Sequence, residues 1–268
     1  MELSIVILNH NHKNLLKNCL KSLQEADLPS HELIITDNGS RDGSQEYLSR
    51  LKEEDPEIRI IFNKRNLGYS RANNQAIRLT QWKYVLILNP DIIVMPEAVN
   101  RLKEFLDKNP QAGIVGPQLL NPDKSIQYSC CRFPNLLTPA VRRTCLGKWP
   151  WFKKELARYL MFDFDHQQVR EVDWLIGACL MVRKEIFEKV GFFDEHYFAY
   201  FEDVDFCRQV WQSGHKVFYL PQAQMVHFHR RLSADGSALR SLLTKATWIH
   251  IRSGFRYFLK WRKAKKVI

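Results

Sequence analysis

Tyr84-Val85-Leu86-Ile87-Leu88-Asn89-Pro90-Asp91 is the stretch that decides the architecture of this chain. Five apolar residues in succession, without polar alternation, read as a strand covered on both faces, as in a parallel sheet flanked by helices. Pro90 has no N–H to give a ladder, so the strand ends there. Asp91 then stands just past the carboxyl end of the strand, where open α/β sheets bind their ligands. A single carboxylate at that point is well placed to hold a metal ion against a diphosphate.

Working outward, the same grammar repeats. Leu3-Ser4-Ile5-Val6-Ile7-Leu8 reads as a first strand, followed by a helical stripe of Leu15, Leu16, Cys19, Leu20 and Leu23. Glu32-Leu33-Ile34-Ile35-Thr36 is a second strand, ending in Asp37-Asn38-Gly39-Ser40. A helix over 44–51, a strand at 58–62, a helix over 71–79, the Asp91 strand and a helix over 96–107 complete the series. This β-α alternation predicts a Rossmann-like, mostly parallel central sheet. The polar clusters Asn9-His10-Asn11, Asp37-Asn38-Gly39-Ser40 and Asn89-Pro90-Asp91 then gather along one sheet edge.

The second half is less periodic. Residues 133–170 mix aromatics, prolines and bases and read as a long excursion, mobile or covering the site. Residues 173–183 read as one strand with Gly177-Ala178 inside it. Phe201-Glu202-Asp203-Val204-Asp205 leads into a short helix to about 213, and strands follow at 216–220 and 223–228. In the last of these His227 and His229 share a face.

Composition narrows the class. The chain has 268 residues and a net charge of +11, but its last 24 residues hold eight Lys or Arg and no acid, leaving +3 for the rest. No run of about 18 apolar residues predicts a membrane span, and the start lacks the pattern of an export signal. Six cysteines without a Cys-x-x-Cys pair read as free thiols in a reducing cytoplasm.

Seven motifs fall in order: Ser4-Ile5-Val6-Ile7-Leu8-Asn9, Asp37-Asn38-Gly39-Ser40, Asn66-Leu67-Gly68-Tyr69-Ser70-Arg71-Ala72-Asn73-Asn74, Leu88-Asn89-Pro90-Asp91, Gly177-Ala178-Cys179-Leu180-Met181-Val182-Arg183, Phe201-Glu202-Asp203-Val204-Asp205 and Val226-His227. Together they resemble the inverting glycosyltransferases of family 2, with the GT-A fold, and within them the bacterial rhamnosyltransferase-like branch that builds cell-surface polysaccharide. The resemblance covers about 3–230. It implies a GT-A domain over 1–236, with a nucleotide-sugar half at about 1–117 and an acceptor half at about 118–236.

The resemblance also implies roles. Asp37 would accept a hydrogen bond from the donor's pyrimidine N–H; on its own, Asp-Asn-Gly is equally a turn. Asn9 and Asn11 would line the nucleotide cleft, or simply end the first strand. Gly68 would let the backbone pass close to the nucleotide, and Arg71 would face its base or phosphates, unless it is an exposed arginine at a helix start. Asp91 and His227 would hold Mg²⁺ or Mn²⁺, with Asn89 where many relatives carry a second acid; His229 is the poorer ligand candidate. Asp203 would be the catalytic base, since one in-line attack by a hydroxyl needs one proton acceptor. Trp174, Gly177 and Glu202 would belong to the acceptor side; a lone tryptophan is otherwise core.

The tail at 237–268 reads as a basic amphipathic helix. Trp248, Ile251, Phe255, Phe258 and Leu259 form one stripe and Arg252, Arg256, Lys260 and Lys263 another, a pattern suited to an anionic membrane surface. The expected activity is sugar transfer from a nucleotide diphosphate donor, dTDP-rhamnose first and a UDP-hexose second, to a hydroxyl of a glycan or lipid-linked glycan. It is expected at the cytoplasmic face of the membrane, with no nucleic acid involved. A nucleotidyltransferase is the related alternative, but Asn9-His10-Asn11-His12-Lys13 lacks a glycine-rich phosphate loop. A catalytically inactive, membrane-associated assembly subunit is the alternative of another class.

Overall fold

The computed structural model describes residues 2–143, 149–228 and 244–263. Strands β1 (Leu3–Asn9), β2 (His31–Asp37), β3 (Arg59–Phe62) and β4 (Tyr84–Leu88) run parallel in the order β3-β2-β1-β4, joined by helices α1 (Lys13–Glu25), α2 (Ser44–Glu54) and α3 (Tyr69–Ile77). Residues on alternate sides of one strand enter different cores. Leu86 and Leu88 pack with Leu16, Leu20, Leu48 and Leu102, whereas Val85 and Ile87 pack with Ala76, Phe187, Phe206 and Val210. Burial on both faces is the reason the strand is apolar throughout.

Beyond β4 the sheet turns mixed. β11 (Cys179–Arg183) runs antiparallel to β4 and to β6 (Ala112–Leu120), and β12 (Lys216–His227) lies parallel to β6. Helix α4 (Ala98–Lys108) precedes β6, while α7 (Lys184–Val190) and α8 (Glu202–Gln212) lie between β11 and β12.

Asp91 does not lead straight to a helix, as the sequence suggested. It opens a short strand, β5 (Ile92–Val94), paired antiparallel with the end of β12 through His227–Ile92. Four residue steps separate β4 from β5, a reach of at most about 14 Å. The far end of β12 must therefore return to the end of β4. It does so by bending: the two expected strands at 216–220 and 223–228 form one strand with a register break between Leu220 and Gln224, where Pro221 cannot donate to the ladder. That bend delivers His227 to Asp91.

The expected strand at 173–183 is two strands. β10 (Trp174–Leu175) pairs with β8 (Cys130–Cys131) in a small separate sheet, and only β11 enters the main sheet. Gly177-Ala178 is the break between them. The small strands β7 (Ile126–Gln127) and β9 (Arg170–Glu171) pair with β6 and β12.

The excursion at 133–170 contains a helical hairpin, α5 (Thr138–Arg143) and α6 (Pro150–Tyr159). The tail forms α9 (Lys245–Trp261), which docks through Thr247, Ser253, Gly254 and Tyr257. None of the described helices is long and apolar enough to cross a membrane. His229 and the expected boundary at 236–237 lie outside the described residues.

Candidate active site

The ends of β1 and β2 are bound to each other side chain by side chain. Asn9 Nδ2 donates to Asp37 Oδ2 at 3.0 Å and to Ser40 Oγ at 3.2 Å, and Asp37 Oδ1 accepts from Ser40 N and Gln45 Nε2, both at 2.9 Å. Asp37 is fully buried, so the carboxylate expected to meet a pyrimidine N–H is engaged by three donors of its own loops. An open depression of about 340 Å³ borders it, lined by Ser40, Arg41, Gln45, Phe62, Asn63 and Lys64. Asn11, in the left-handed region at φ 58°, receives Arg41 N on its Oδ1 at 2.7 Å and locks the same corner.

Two expected nucleotide contacts are otherwise occupied. Gly68, at φ +88°, faces the backbone of Phe198; a Cβ there would lie 2.5 Å from Phe198 O, and Tyr69 N donates to that same oxygen. Its missing side chain admits a neighbouring loop. Arg71 Nε pairs with Glu195 Oε2 at 3.3 Å, beside the Arg78–Glu195 pair at 2.9 Å. Asn38 ties this loop to β2, accepting from Leu67 N at 2.9 Å.

At the end of β4, Asn89 N donates to Ala178 O at 2.9 Å. Asp91 Oδ1 is buried, has no hydrogen-bond partner among the described residues, and stands 3.5 Å from His227 Nε2. Gln127 sets the histidine ring. Its Nε2 donates to Asn121 Oδ1 at 3.0 Å, so its Oε1 accepts from His227 Nδ1 at 2.6 Å. In the neutral ring this leaves Nε2 as the ligating nitrogen, turned toward Asp91. An orphaned carboxylate oxygen beside an oriented imidazole nitrogen fits a divalent cation. No group of three or more His, Cys, Asp or Glu side chains able to hold a metal occurs among the described residues, so the rest of the shell would be phosphate oxygens and water. Gln127 is the member of this group that sequence reasoning missed; it lies in a two-residue strand that carries no periodic signal.

Asp203 sits across the same strand end. Gly177 N donates to its Oδ2 at 3.0 Å and Val204 N to its Oδ1 at 2.9 Å. Burial pushes its pKa above the ordinary carboxylate value, and these backbone donors pull it back. Glu202 is raised further, by burial and then by the Asp203 charge, and its Oε2 has no hydrogen-bond partner among the described residues. Burial and the neighbouring Asp203 charge favour the protonated form of Glu202, whereas the Gly177 and Val204 N–H groups favour the anion of Asp203.

Gly177 is needed here: a Cβ would lie 3.1 Å from Tyr69 Oη and 3.3 Å from Asp203 Cβ. Tyr69 donates to Gly177 O at 2.6 Å and closes the group. Trp174, by contrast, is core. It is 4% exposed, donates to Arg132 O and packs on Tyr159, so its ring is not presented to a ligand.

The loop that leads to Asp203 is strained and held by the tail. Tyr200 and Phe201 both lie in the left-handed region, at φ 68° and 69°. Such conformations persist only where surroundings enforce them, often at functional sites. Phe201 is packed by Tyr257, Phe258 and His250 of α9. Asp205, fully buried, is bound by Lys260 Nζ and Trp261 Nε1, each at 2.7 Å. Lys260 and Arg256 also lie within 4 Å of Asp194. Part of the expected basic stripe is thus turned inward, and Phe258 is partly buried, while Trp248, Ile251, Phe255 and Leu259 remain exposed.

The family model described as Glycosyl transferase family 2 matches residues 4–191. The chain is 31% identical over 237 residues to an N-acetylglucosaminyl-diphospho-decaprenol L-rhamnosyltransferase of Mycobacterium tuberculosis, covering 84% of this chain and 75% of that protein. It is 26% identical over 266 residues to the rhamnosyltransferase WbbL of Escherichia coli, covering 96% and 93%. Among solved structures, the mannosyltransferase PcManGT from Pyrobaculum calidifontis in complex with GDP-Man and Mn²⁺ superposes with a TM-score of 0.61 at 15% identity, covering 99% of this chain and 76% of that one. GalNAc-T7 with UDP, GalNAc and Mn²⁺ gives a TM-score of 0.65, also at 15% identity, over 88% and 44%. The sheet is that of the GT-A glycosyltransferases, and, with the family model spanning more than half of its length, the chain belongs to glycosyl transferase family 2.

Proposed function

We propose that this glycosyltransferase inverts the anomeric centre of a nucleotide-linked sugar, taking dTDP-rhamnose as donor and a hydroxyl of a lipid-linked glycan as acceptor, for cell-surface polysaccharide. The observation that carries the reading is the bracketing of one strand end. Ala178 O binds the Asn89 turn that leads to Asp91, and Gly177 N binds Asp203. A phosphate-side carboxylate and a base thus flank the place where an anomeric carbon would lie.

Each residue has a task in this scheme. Asp203 takes the proton from the acceptor hydroxyl during attack. Inversion needs that one base, whereas a double displacement needs a second carboxylate as an anionic nucleophile. Glu202, buried and with its pKa raised, does not suit that second role. Asp91 and His227 would hold Mg²⁺ or Mn²⁺, which offsets the charge growing on the departing diphosphate. Asn9, Asn11 and Asp37 shape the nucleotide corner, and Arg71 reaches the donor only by leaving Glu195. Rhamnose is favoured by the two rhamnosyltransferase relatives above, a lipid-linked acceptor by the mycobacterial one. The exposed stripe of α9 supports peripheral attachment to the cytoplasmic face of a membrane.

A thermal-shift panel of nucleotide sugars, with and without Mn²⁺, tests the donor. A bound donor raises the melting temperature by mass action. dTDP-rhamnose with Mn²⁺ should give the largest rise, and NMR of the product should show inverted anomeric configuration. A larger rise with a UDP-hexose replaces the donor; a retained configuration overturns the mechanism.

A further inference from the structure

Among the described residues outside α9, the most exposed large apolar side chains sit on the α5–α6 hairpin and the turn before it. Trp151 is 87% and Leu136 75% exposed, and Trp149 and Leu137 are each more than half exposed. The hairpin does not need them for its own packing. Its inward residues Val141 and Tyr159 are buried, and Glu155 closes a polar lock by accepting from Thr138 Oγ1 at 2.6 Å and from Arg158 Nε and Nη2 at 2.8 Å. Four large apolar groups left exposed on one hairpin and the turn before it mark a surface suited to being covered.

Charge indicates what covers it. Lys153 and Lys154 are exposed beside Trp151, and the one acid of α6, Glu155, is already engaged by Arg158. On α6 the exposed Trp151 and Lys154 lie three residues apart and share a face. Aromatic rings with lysines at their margin settle where acyl chains meet anionic headgroups. We infer that the α5–α6 hairpin docks on an anionic lipid bilayer, as a contact separate from α9.

The placement of the hairpin fits that partner. Arg208 stacks over Phe133 at 5.1 Å, Tyr257 at 5.7 Å and Trp261 at 4.9 Å, so the segment leading into the hairpin and the last turns of α9 are neighbours. Tyr159 of α6 packs on Trp174, three residues before Gly177. A bilayer touching both elements would lie against the acceptor side. The inference shares its membrane with the proposed function, but it rests on its own residues.

The test uses the full chain and vesicles of phosphatidylcholine with and without phosphatidylglycerol. Trp149→Ser/Trp151→Ser and, separately, Trp248→Ser/Phe255→Ser are compared with wild type by flotation and by quenching of tryptophan emission with brominated lipid. All four side chains are exposed, so melting temperatures should not move. The hairpin variant should lose about tenfold or more in affinity for anionic vesicles, as expected for removing two interfacial aromatics. A hairpin variant that floats like wild type overturns the inference; if the α9 variant alone loses binding, the membrane reading survives without the hairpin. A wild-type dimer that becomes monomeric in the hairpin variant, with vesicle binding unchanged, assigns the surface to a second copy of the chain and also overturns it.

Discussion

Gly177 donates its backbone N–H to Asp203 Oδ2 across 3.0 Å, at a point where a Cβ on Gly177 would press on Asp203 itself. The contact favours the ionised form of the buried Asp203 carboxylate. It also fixes the carboxylate against the strand end that carries the Asn89–Asp91 turn.

Asp203→Asn should fold normally and lose about 10²- to 10⁴-fold in turnover, the range for a general base. Glu202→Gln should keep most of the activity. Because Glu202 has a raised pKa in the fold, its contribution to stability is present at low pH and is lost as pH rises through that value. Melting temperatures from pH 5 to 9 should therefore fall less steeply in Glu202→Gln than in wild type.

The pH profile of turnover follows from the same group. Asp203 must be ionised to accept a proton, and burial raises its pKa above 3.8. The rate should fall on the acid side through a pKa above that value, in steady-state assays at saturating donor. Asp203→Asn should abolish this limb.

Metal affinity should depend on three side chains. In Mn²⁺ titrations with a nucleoside diphosphate, followed by electron paramagnetic resonance, Asp91→Asn and His227→Ala should each weaken binding strongly. Gln127→Ala should weaken it about 10- to 100-fold, the usual effect of losing the group that orients a ligating histidine. Unchanged Mn²⁺ binding in Asp91→Asn would remove this carboxylate from the metal site.

Gly68→Ala should destabilise the fold by about 3 kcal/mol, since it combines backbone strain with a clash against Phe198 O. Denaturant unfolding measures this. A loss of donor affinity without loss of stability would instead return Gly68 to the nucleotide cleft.

Much of the first half was legible because its elements obey simple periods: the alternation through Asp91 matches β1 to β4 and α1 to α4 within a few residues. β6 was not legible, although it is buried throughout, because Gly113, Gly116 and Pro117 interrupt its apolar pattern. The glycines are there for close packing: a Cβ on Gly113 would meet Val210, and one on Gly116 would meet Leu175. Pro117 is tolerated because pairing with β11 covers only Ile114 and Val115. In the candidate site, motif order named Asp91 and His227, which the fold brings within 3.5 Å, and Asp203 and Gly177, which it joins by a hydrogen bond. The engagement of Asp37 by Gln45, of Arg71 by Glu195 and of Gly68 by Phe198 was not, since each depends on a contact that only the folded chain creates.

Phe201 is kept in its left-handed conformation by rings of α9, and Asp205 is held by Lys260 and Trp261. A chain trimmed before residue 245 to make it easier to handle would lose these supports while its donor corner stayed whole. Such a protein would still bind nucleotide yet turn over poorly, and could be mistaken for a catalytically dead homologue. Substitutions on the outward stripe of α9 are the cleaner way to separate attachment from catalysis.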